Sequence, residues 1–514
     1  MFARHLKLIR WIIGVAFGVL VGLWIATLAV SRAPLLRDAL VRALNEHLDA
    51  DVELAAFEVQ TFPTLRIHGD GLKLRLKNQQ NPSPFIEVRH FEVTGGLFGM
   101  LRKQRRFRTV DLDGLRITIP PRTGNDRDAG NKAITTTAGP AIIDHLTARD
   151  AMLVIVPDNP AKEPKTWAIH HLDLESVGFN RSMPFTATLT NPIPKGEIAT
   201  KGSFGPWMKG DPGLTPLSGR YSYEHVDLGT IDGIGGTLSS TGLFTGMLSR
   251  IDAQGTTSTP DFRLDLGGAP VPLNTTFDVT VDGTNGNTYL NKIDAMLRNT
   301  PIHASGAVVS TPNVKGRRVT VDVKIDGGRL EDLLQLAVKA PKPVMLARIG
   351  LRASMTLPAG KGRVSDRLQL SGRFALEHAE FTDPGVREQL AMLSRRAQGK
   401  KKDEPIGRFV SEMRGEFTMR DGHIRFTPVR FGVPGADVQL TGVYGLRNEQ
   451  LDFAGTLAMD APISKAMGGG IKGFFLKPFD PIFRKEGHGA VVPITITGPR
   501  EEPKFGVRWG KIFK

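Results

Sequence analysis

The chain has 514 residues, 40% of them hydrophobic and 23% charged, which excludes a chain too polar to bury a core and leaves room for two or three domains. Lys and Arg outnumber Asp and Glu by 67 to 52, a net charge of +15 that suits an anionic partner, nucleic acid or lipid headgroups, or serves solubility alone. There is no cysteine, so thiol nucleophiles, disulfides and thiolate metal ligands are all excluded.

Residues 1–10 carry Arg4, Lys7 and Arg10 and no acid. Trp11 to Val30 follows without a single charge. At about 1.5 Å per residue this stretch spans roughly 30 Å as a helix, the hydrocarbon thickness of a bilayer. A secretory signal would be shorter and would end at a small-x-small cleavage site; here Ser31-Arg32-Ala33-Pro34 follows. The spacing predicts an uncleaved transmembrane helix over 11–30, with the basic tail in the cytoplasm and the remaining chain across the membrane. The +12 that remains beyond the tail then faces lipid headgroups more readily than nucleic acid.

Leu36, Leu40, Leu44 and Leu48 recur every four residues behind the anchor and predict an amphipathic helix, packed on the domain or lying on the membrane. After Asp51 the period changes to two. Leu65 and Ile67, then Leu72, Leu74 and Leu76, alternate with polar and basic residues around Gly69-Asp70-Gly71, read as a hairpin turn with one apolar and one basic face. Asp113-Gly114 is read as a similar turn before Ile117 and Ile119. Between them lies the densest basic run, 97–108, with Arg102, Lys103, Arg105, Arg106 and Arg108 as candidates for the membrane surface; a solvated face or loop is the plainer reading of such a run. Residues 121–140 and 205–217 read as loops, the second as the boundary between two halves.

From there alternation dominates. Phe262, Leu264 and Leu266 form one apolar strand face, and Phe277, Val279 and Val281 another. Val319, Val321, Val323 and Ile325 face away from Thr320, Asp322, Lys324 and Asp326. Leu368 to Leu376, Phe417 and Met419, a turn at Asp421-Gly422, Ile424 and Phe426, then Val438 to Phe453, continue the pattern. Helices are expected at Arg329–Lys339 and Val386–Arg396, with a Gly-rich candidate at 464–477 and a charged loop at 397–406. So few helices cannot cover so many half-apolar strands. Three solutions stay open: a sheet folded on itself, an outer-membrane barrel, or a trough whose apolar inside is covered by acyl chains. The anchor and the scarcity of aromatics, 7%, disfavour the barrel.

Enzyme signatures are missing: no HExxH, GxSxG, SxxK or P-loop occurs. Gly468, Gly470 and Gly473 fit GxGxxG without a leading strand or a downstream acid, so a flexible turn is the better reading. His170, His171 and Asp173 suggest a metal pair, but adjacent strand residues face opposite ways. No catalytic, metal or cofactor site is therefore assigned, and the chain is read as a non-enzyme.

Three segments carry a resemblance. Residues 43–74, with Leu44-Asn45, Pro63, Gly69 and Gly71, resemble the start of AsmA-family proteins, and 254–290 and 474–507 resemble their C-terminal region. The resemblance implies a mostly β protein: an N-terminal transmembrane helix, then a long twisted antiparallel β-groove with a chorein-like start and a few short helices, similar to eukaryotic bridge-like lipid transfer proteins. It implies a cytoplasmic tail over 1–10, the anchor over 11–30, an N-terminal groove over 31–210 and a C-terminal groove region over 211–514. It further implies an inner-membrane, single-pass protein with its bulk in the periplasm. The partners implied are the inner-membrane bilayer, a phospholipid ligand and an outer-membrane or envelope protein, without nucleic acid or cofactor. The function expected is envelope homeostasis, by holding or conducting phospholipid acyl chains towards the outer membrane. A scaffold or modulator of outer-membrane protein assembly is the alternative.

Overall fold

The structure, a computed structural model, describes residues 50–60, 64–76, 84, 86–95, 105–119, 141–156, 164–178, 180–206, 208, 212–265, 267–283, 285–311, 314, 316–338, 342–382, 384–400, 411–462, 489–500 and 502–507. These residues are mostly strand, joined by ladders that are antiparallel with few exceptions, and include few helices. They form two compact units, one holding residues through Thr230 with Leu238–Thr256 and Thr280–Gly286, the other holding Ile231–Thr237, Thr257–Val279 and the chain from Asn287. Among the described residues no helix is long and apolar enough to cross a membrane. The predicted anchor at 11–30, the amphipathic helix at 36–48, the loop at 121–140, the helix at 464–477 and the GxGxxG glycines lie outside the described residues.

The first unit begins with β1 (Ala50–Glu53) and β2 (Ala56–Gln60), which pair end to end along one strand, β3 (Leu65–Leu76). This corrects the expected hairpin: the chain does not turn at Gly69-Asp70-Gly71 but runs through it. The reason is side-chain parity. Leu65 and Ile67 are odd-numbered, Leu72 and Leu74 even-numbered, yet all four are buried on one face. A period-2 strand reaches that only by a change of phase, and its partners change phase with it: even-numbered Val52 and Leu54 and odd-numbered Phe57 are buried across from it, and the register runs unbroken from β1 to β2. Gly71 adopts φ +64°, and a Cβ there would stand 2.9 Å from the Ala55 Cβ, so both conformation and space demand glycine. Asp113-Gly114 is corrected in the same way. β5 (Arg105–Asp113) and β6 (Arg116–Ile119) are one interrupted line; both pair antiparallel with β4 (Ile86–Gly95) and parallel with β7 (Ala141–Ile155). From β7 the chain meanders through β8 (Lys165–Val177), β9 (Met183–Pro192), β10 (Lys195–Phe204) and β11 (Pro216–Asp227). The core of this unit gathers Leu65, Ile67, Leu74, Phe91, Val93 and Phe107, all nearly inaccessible.

Next in sequence come β12 (Ile234–Gly235), β13 (Thr237–Met247), β14 (Arg250–Leu264) and β15 (Val271–Val281). The second unit is then a meander of consecutive antiparallel strands: β16 (Thr288–Leu297), β17 (Thr300–Ser310), β18 (Arg317–Arg329), β19 (Met345–Leu357), β20 (Gln369–Phe381), β21 (Ser411–Arg420), β22 (His423–Val433), β23 (Ala436–Gly445), β24 (Gln450–Met459), β25 (Ala490–Pro499) and β26 (Lys504–Val507). Asp421-Gly422 turns the chain as expected, between paired Arg420 and His423, with φ +50° and +71°, the two positive angles a type I′ hairpin requires. Among the described residues three helices interrupt the meander: α1 (Leu330–Ala337), α2 (Val364–Arg367) and α3 (Pro384–Ala397). α1 and α3 are the helices expected near 329–339 and 386–396.

Single-residue bulges recur in every second strand, in β16, β18, β20 and β22. In β18 the extra residue falls beside Gly327 at φ +74°, in β20 at His378 at φ +54°. Each bends its strand and flips parity, so that Leu376 and Ala379 are buried together. The two long helices close the end of the sheet beyond the bulges. Leu330, Leu333 and Leu334 of α1 pack on Ile325, Ile349 and Leu376, while Leu390, Leu393 and Ala397 of α3 join the cluster of Val438, Leu457 and Val492.

Candidate functional site

Residues directly opposite one another in an antiparallel ladder share a face, so the registers of the second unit define rows across its strands. Val323 lies opposite Ala353, Ala353 opposite Gly372, and Gly372 opposite Phe417. The row continues through Phe426, Gly442, Phe453 and Ile496, one residue from each of β18 to β25. Every member is half-buried. At about 4.8 Å per strand the row is about 34 Å long. A parallel row of Val321, Met355 and Leu370 is half-buried too. On the helix-covered side, Ile349, Leu376, Val438, Leu457 and Val492 are buried. The apolar face is thus closed along one margin and accessible along its middle.

Aromatic rings and glycines alternate on this face. Phe374 lies over Gly415, and Phe453 over Gly442: a Cβ on either glycine would come within 2.8 Å or 2.5 Å of the ring. Phe374 and Phe426 pack edge to face with centroids 6.5 Å apart, and Phe426 and Phe453 lie tilted by 34° at 5.8 Å. Glycine leaves room for the Phe374 and Phe453 rings on the apolar face.

The predicted groove residues fall into two kinds. Val319, Val321, Val323 and Ile325 do share one face of β18, with Asp322, Lys324 and Asp326 exposed on the other. Ile325, however, is 1% exposed and belongs to the closed margin under α1, whereas the three valines are half-buried. Phe277, Val279 and Val281 are half-buried on β15; the first two belong to the second unit and Val281 to the first. Of the basic run, Arg102 and Lys103 lie outside the described residues. Arg105, Arg106 and Arg108 open strand β5, where Arg108 is exposed and Arg106 donates from Nε to Asp144 Oδ1 at 2.6 Å. His170 bonds Thr190 Oγ1 at 2.8 Å, while His171 bonds Asp173 Oδ2 at 2.5 Å, so the two imidazoles take separate partners.

The opposite face of the second unit is charged. Asp294 accepts from Lys292, at 2.8 Å, and from His303 Nδ1, at 2.7 Å, and these hydrogen bonds hold its carboxyl below the usual range. A hydrogen bond from Lys324 does the same for Asp326. Sequence reading assigned Lys324 to the polar face but missed its neighbours across the strands, and it missed Met355, Leu370 and Phe417 beside Val321 and Val323. Alternation gives each residue's face; only the pairing register tells which residues of other strands stand next to it. Compared with protein-family models, with curated proteins and with solved structures, the chain matches none.

Proposed function

We propose that the apolar face of the second unit holds phospholipid acyl chains in a protein anchored in the inner membrane through residues 11–30, with its bulk in the periplasm. The observation that carries this reading is the half-buried row from Val323 to Ile496, apolar on eight successive strands. Leaving so much apolar surface to water is unfavourable, by roughly 25 cal/mol per Å2, and an acyl chain lying across the strands removes it. The AsmA-like segments agree with that reading and with a role in moving phospholipid towards the outer membrane. The alternative, an envelope scaffold or modulator of outer-membrane protein assembly with closed apolar cores, draws on the first unit, whose core is shut.

A photo-crosslinking amino acid placed at Phe417, and separately at Thr418, tests the groove in the full chain in its native membrane. The two neighbours lie on opposite faces of β21. Phospholipid adducts are expected at 417 and not at 418. Equal labelling at both positions, or none at 417, refutes the groove and leaves the scaffold.

A further inference from the structure

The charged face of these strands holds an open cleft of about 790 Å3. Across its floor Lys324 of β18 stands directly opposite Arg352 of β19, and Arg352 directly opposite Arg373 of β20. At the usual strand spacing three cations fall within about 10 Å. Like charges directly opposed weaken a sheet, so this row costs stability unless something answers it.

Nearby carboxylates answer it only in part. Asp326 is ion-paired with Lys324 and feels the charge of Arg352 without a hydrogen bond to it, and Asp322 accepts from Ser354 Oγ at 2.5 Å. Glu416 lies opposite Arg373 in register, yet among the described residues neither Arg352 nor Arg373 has a side-chain hydrogen bond or an ion pair. Two guanidinium forks on adjacent strands, each exposed, are thereby left with their donors free over a cleft. That geometry suits a tetrahedral oxyanion, whose three or more oxygens let each of two planar forks bind in its own two-point arrangement. The acids that share the cleft with these cations, Asp294, Asp322 and Glu416, rule out a long uniform polyanion such as nucleic acid and select a compact group.

We propose that Arg352 and Arg373, with Lys324 beside them, form a phosphate-binding site for a phosphate-bearing ligand, soluble or on a lipid headgroup. The site lies on the other face from the acyl groove and is independent of it.

The test uses the full chain in detergent micelles, titrated calorimetrically with inorganic pyrophosphate, and separately with dioctanoyl phosphatidic acid against dioctanoylglycerol, which has the same tails without phosphate. The variant is Arg352→Gln with Arg373→Gln. The control is Arg425→Gln with Arg430→Gln, two exposed arginines of the same face outside the cleft lining. Pyrophosphate binding weakened about tenfold or more in the variant, and changed by less than about twofold in the control, identifies a soluble phosphate site. The same loss confined to phosphatidic acid, with dioctanoylglycerol unaffected, identifies a headgroup site. Binding of neither ligand, or equal losses in variant and control, overturns the proposal. The ligand-free variant should also unfold at the same temperature or higher, because directly opposed like charges have been removed; a marked fall would show that the arginines hold the sheet together and would overturn the proposal as well.

Discussion

Placing charge on the accessible part of the apolar face separates an open groove from a closed core. The perturbation is Val321→Asp with Val323→Asp. Both valines are half-buried, and their direct neighbours are small or flexible: Gly306 and Met355 beside Val321, Ala304 and Ala353 beside Val323. Half the burial of a valine is worth about 1 kcal/mol, and replacing a β-branched residue by aspartate in a strand costs about 1 kcal/mol more. The pair should therefore cost about 4 kcal/mol, with no added penalty for trapping a carboxylate, since each can reach water. Ile325→Asp, two residues along, is the contrast. Ile325 is 1% exposed beneath α1, so that substitution loses a whole buried side chain, about 3 kcal/mol, and strands an unpartnered carboxyl for several kcal/mol more. Denaturation of the membrane-extracted chain should find the double variant folded with a lowered midpoint, and Ile325→Asp largely unfolded. Native mass spectrometry of the folded double variant should find retained phospholipid lost. A double variant that unfolds as readily as Ile325→Asp, or stays folded and keeps its lipid, refutes the reasoning.

Asp332 is 1% exposed and accepts from Thr300 Oγ1 at 2.9 Å and from the Asn299 amide at 3.1 Å, fastening α1 to β17. Asp332→Ala should lower stability by about 1–3 kcal/mol in urea unfolding, because the Asn299 amide loses its acceptor and the Thr300 hydroxyl keeps only the longer bond to the Arg329 carbonyl, at 3.2 Å. Gly455 has the Gln439 carbonyl oxygen 1.8 Å from where a Cβ would stand, so Gly455→Ala should cost about 1–3 kcal/mol, whereas Gly350→Ala, with nothing nearer than 3.9 Å, should be neutral or mildly stabilising. Arg447 donates from Nε to Asp366 Oδ1 at 3.1 Å and holds that carboxyl below its ordinary value, tying α2 to the β23–β24 connection. A lowered folded pKa gives stability that is full above the unfolded value of about 4 and is lost as the pH falls through the folded one. The stability gap between wild type and Arg447→Gln should hold from neutral pH to about pH 5 and close below about pH 4; a gap unchanged in strong acid counts against the pairing. A reporter that is active only in the periplasm, fused after Lys514, should be active if residues 11–30 anchor the chain as expected; activity only as a cytoplasmic reporter counts against that topology.

Particular strands show how far the sequence could be read. In β18 the alternation of valine with charge predicted both faces correctly, and Asp421-Gly422 predicted a two-residue turn because few other pairs tolerate two positive φ angles. The helices α1 and α3 were legible from a change of period within one segment. At Gly69-Asp70-Gly71 and Asp113-Gly114 the same glycine chemistry misled, because a glycine at positive φ serves a change of phase within a continuing strand as well as a turn, and only the strands on either side decide which is built.

Composition and period alone thus determined that the described chain would be mostly strand, with one apolar and one polar face per strand and few helices to cover them. These are local properties, set by the residues within a few positions of each other. Tertiary structure decided everything that joins distant residues: that Val323, Phe417 and Ile496 lie in one accessible row, that Ile325 is shut beneath α1 while Val321 is not, and that Lys324, Arg352 and Arg373 stand side by side. Register and bulge position fix those neighbours, and a shift of one residue would send each side chain to the other face, so no reading of a single strand could supply them.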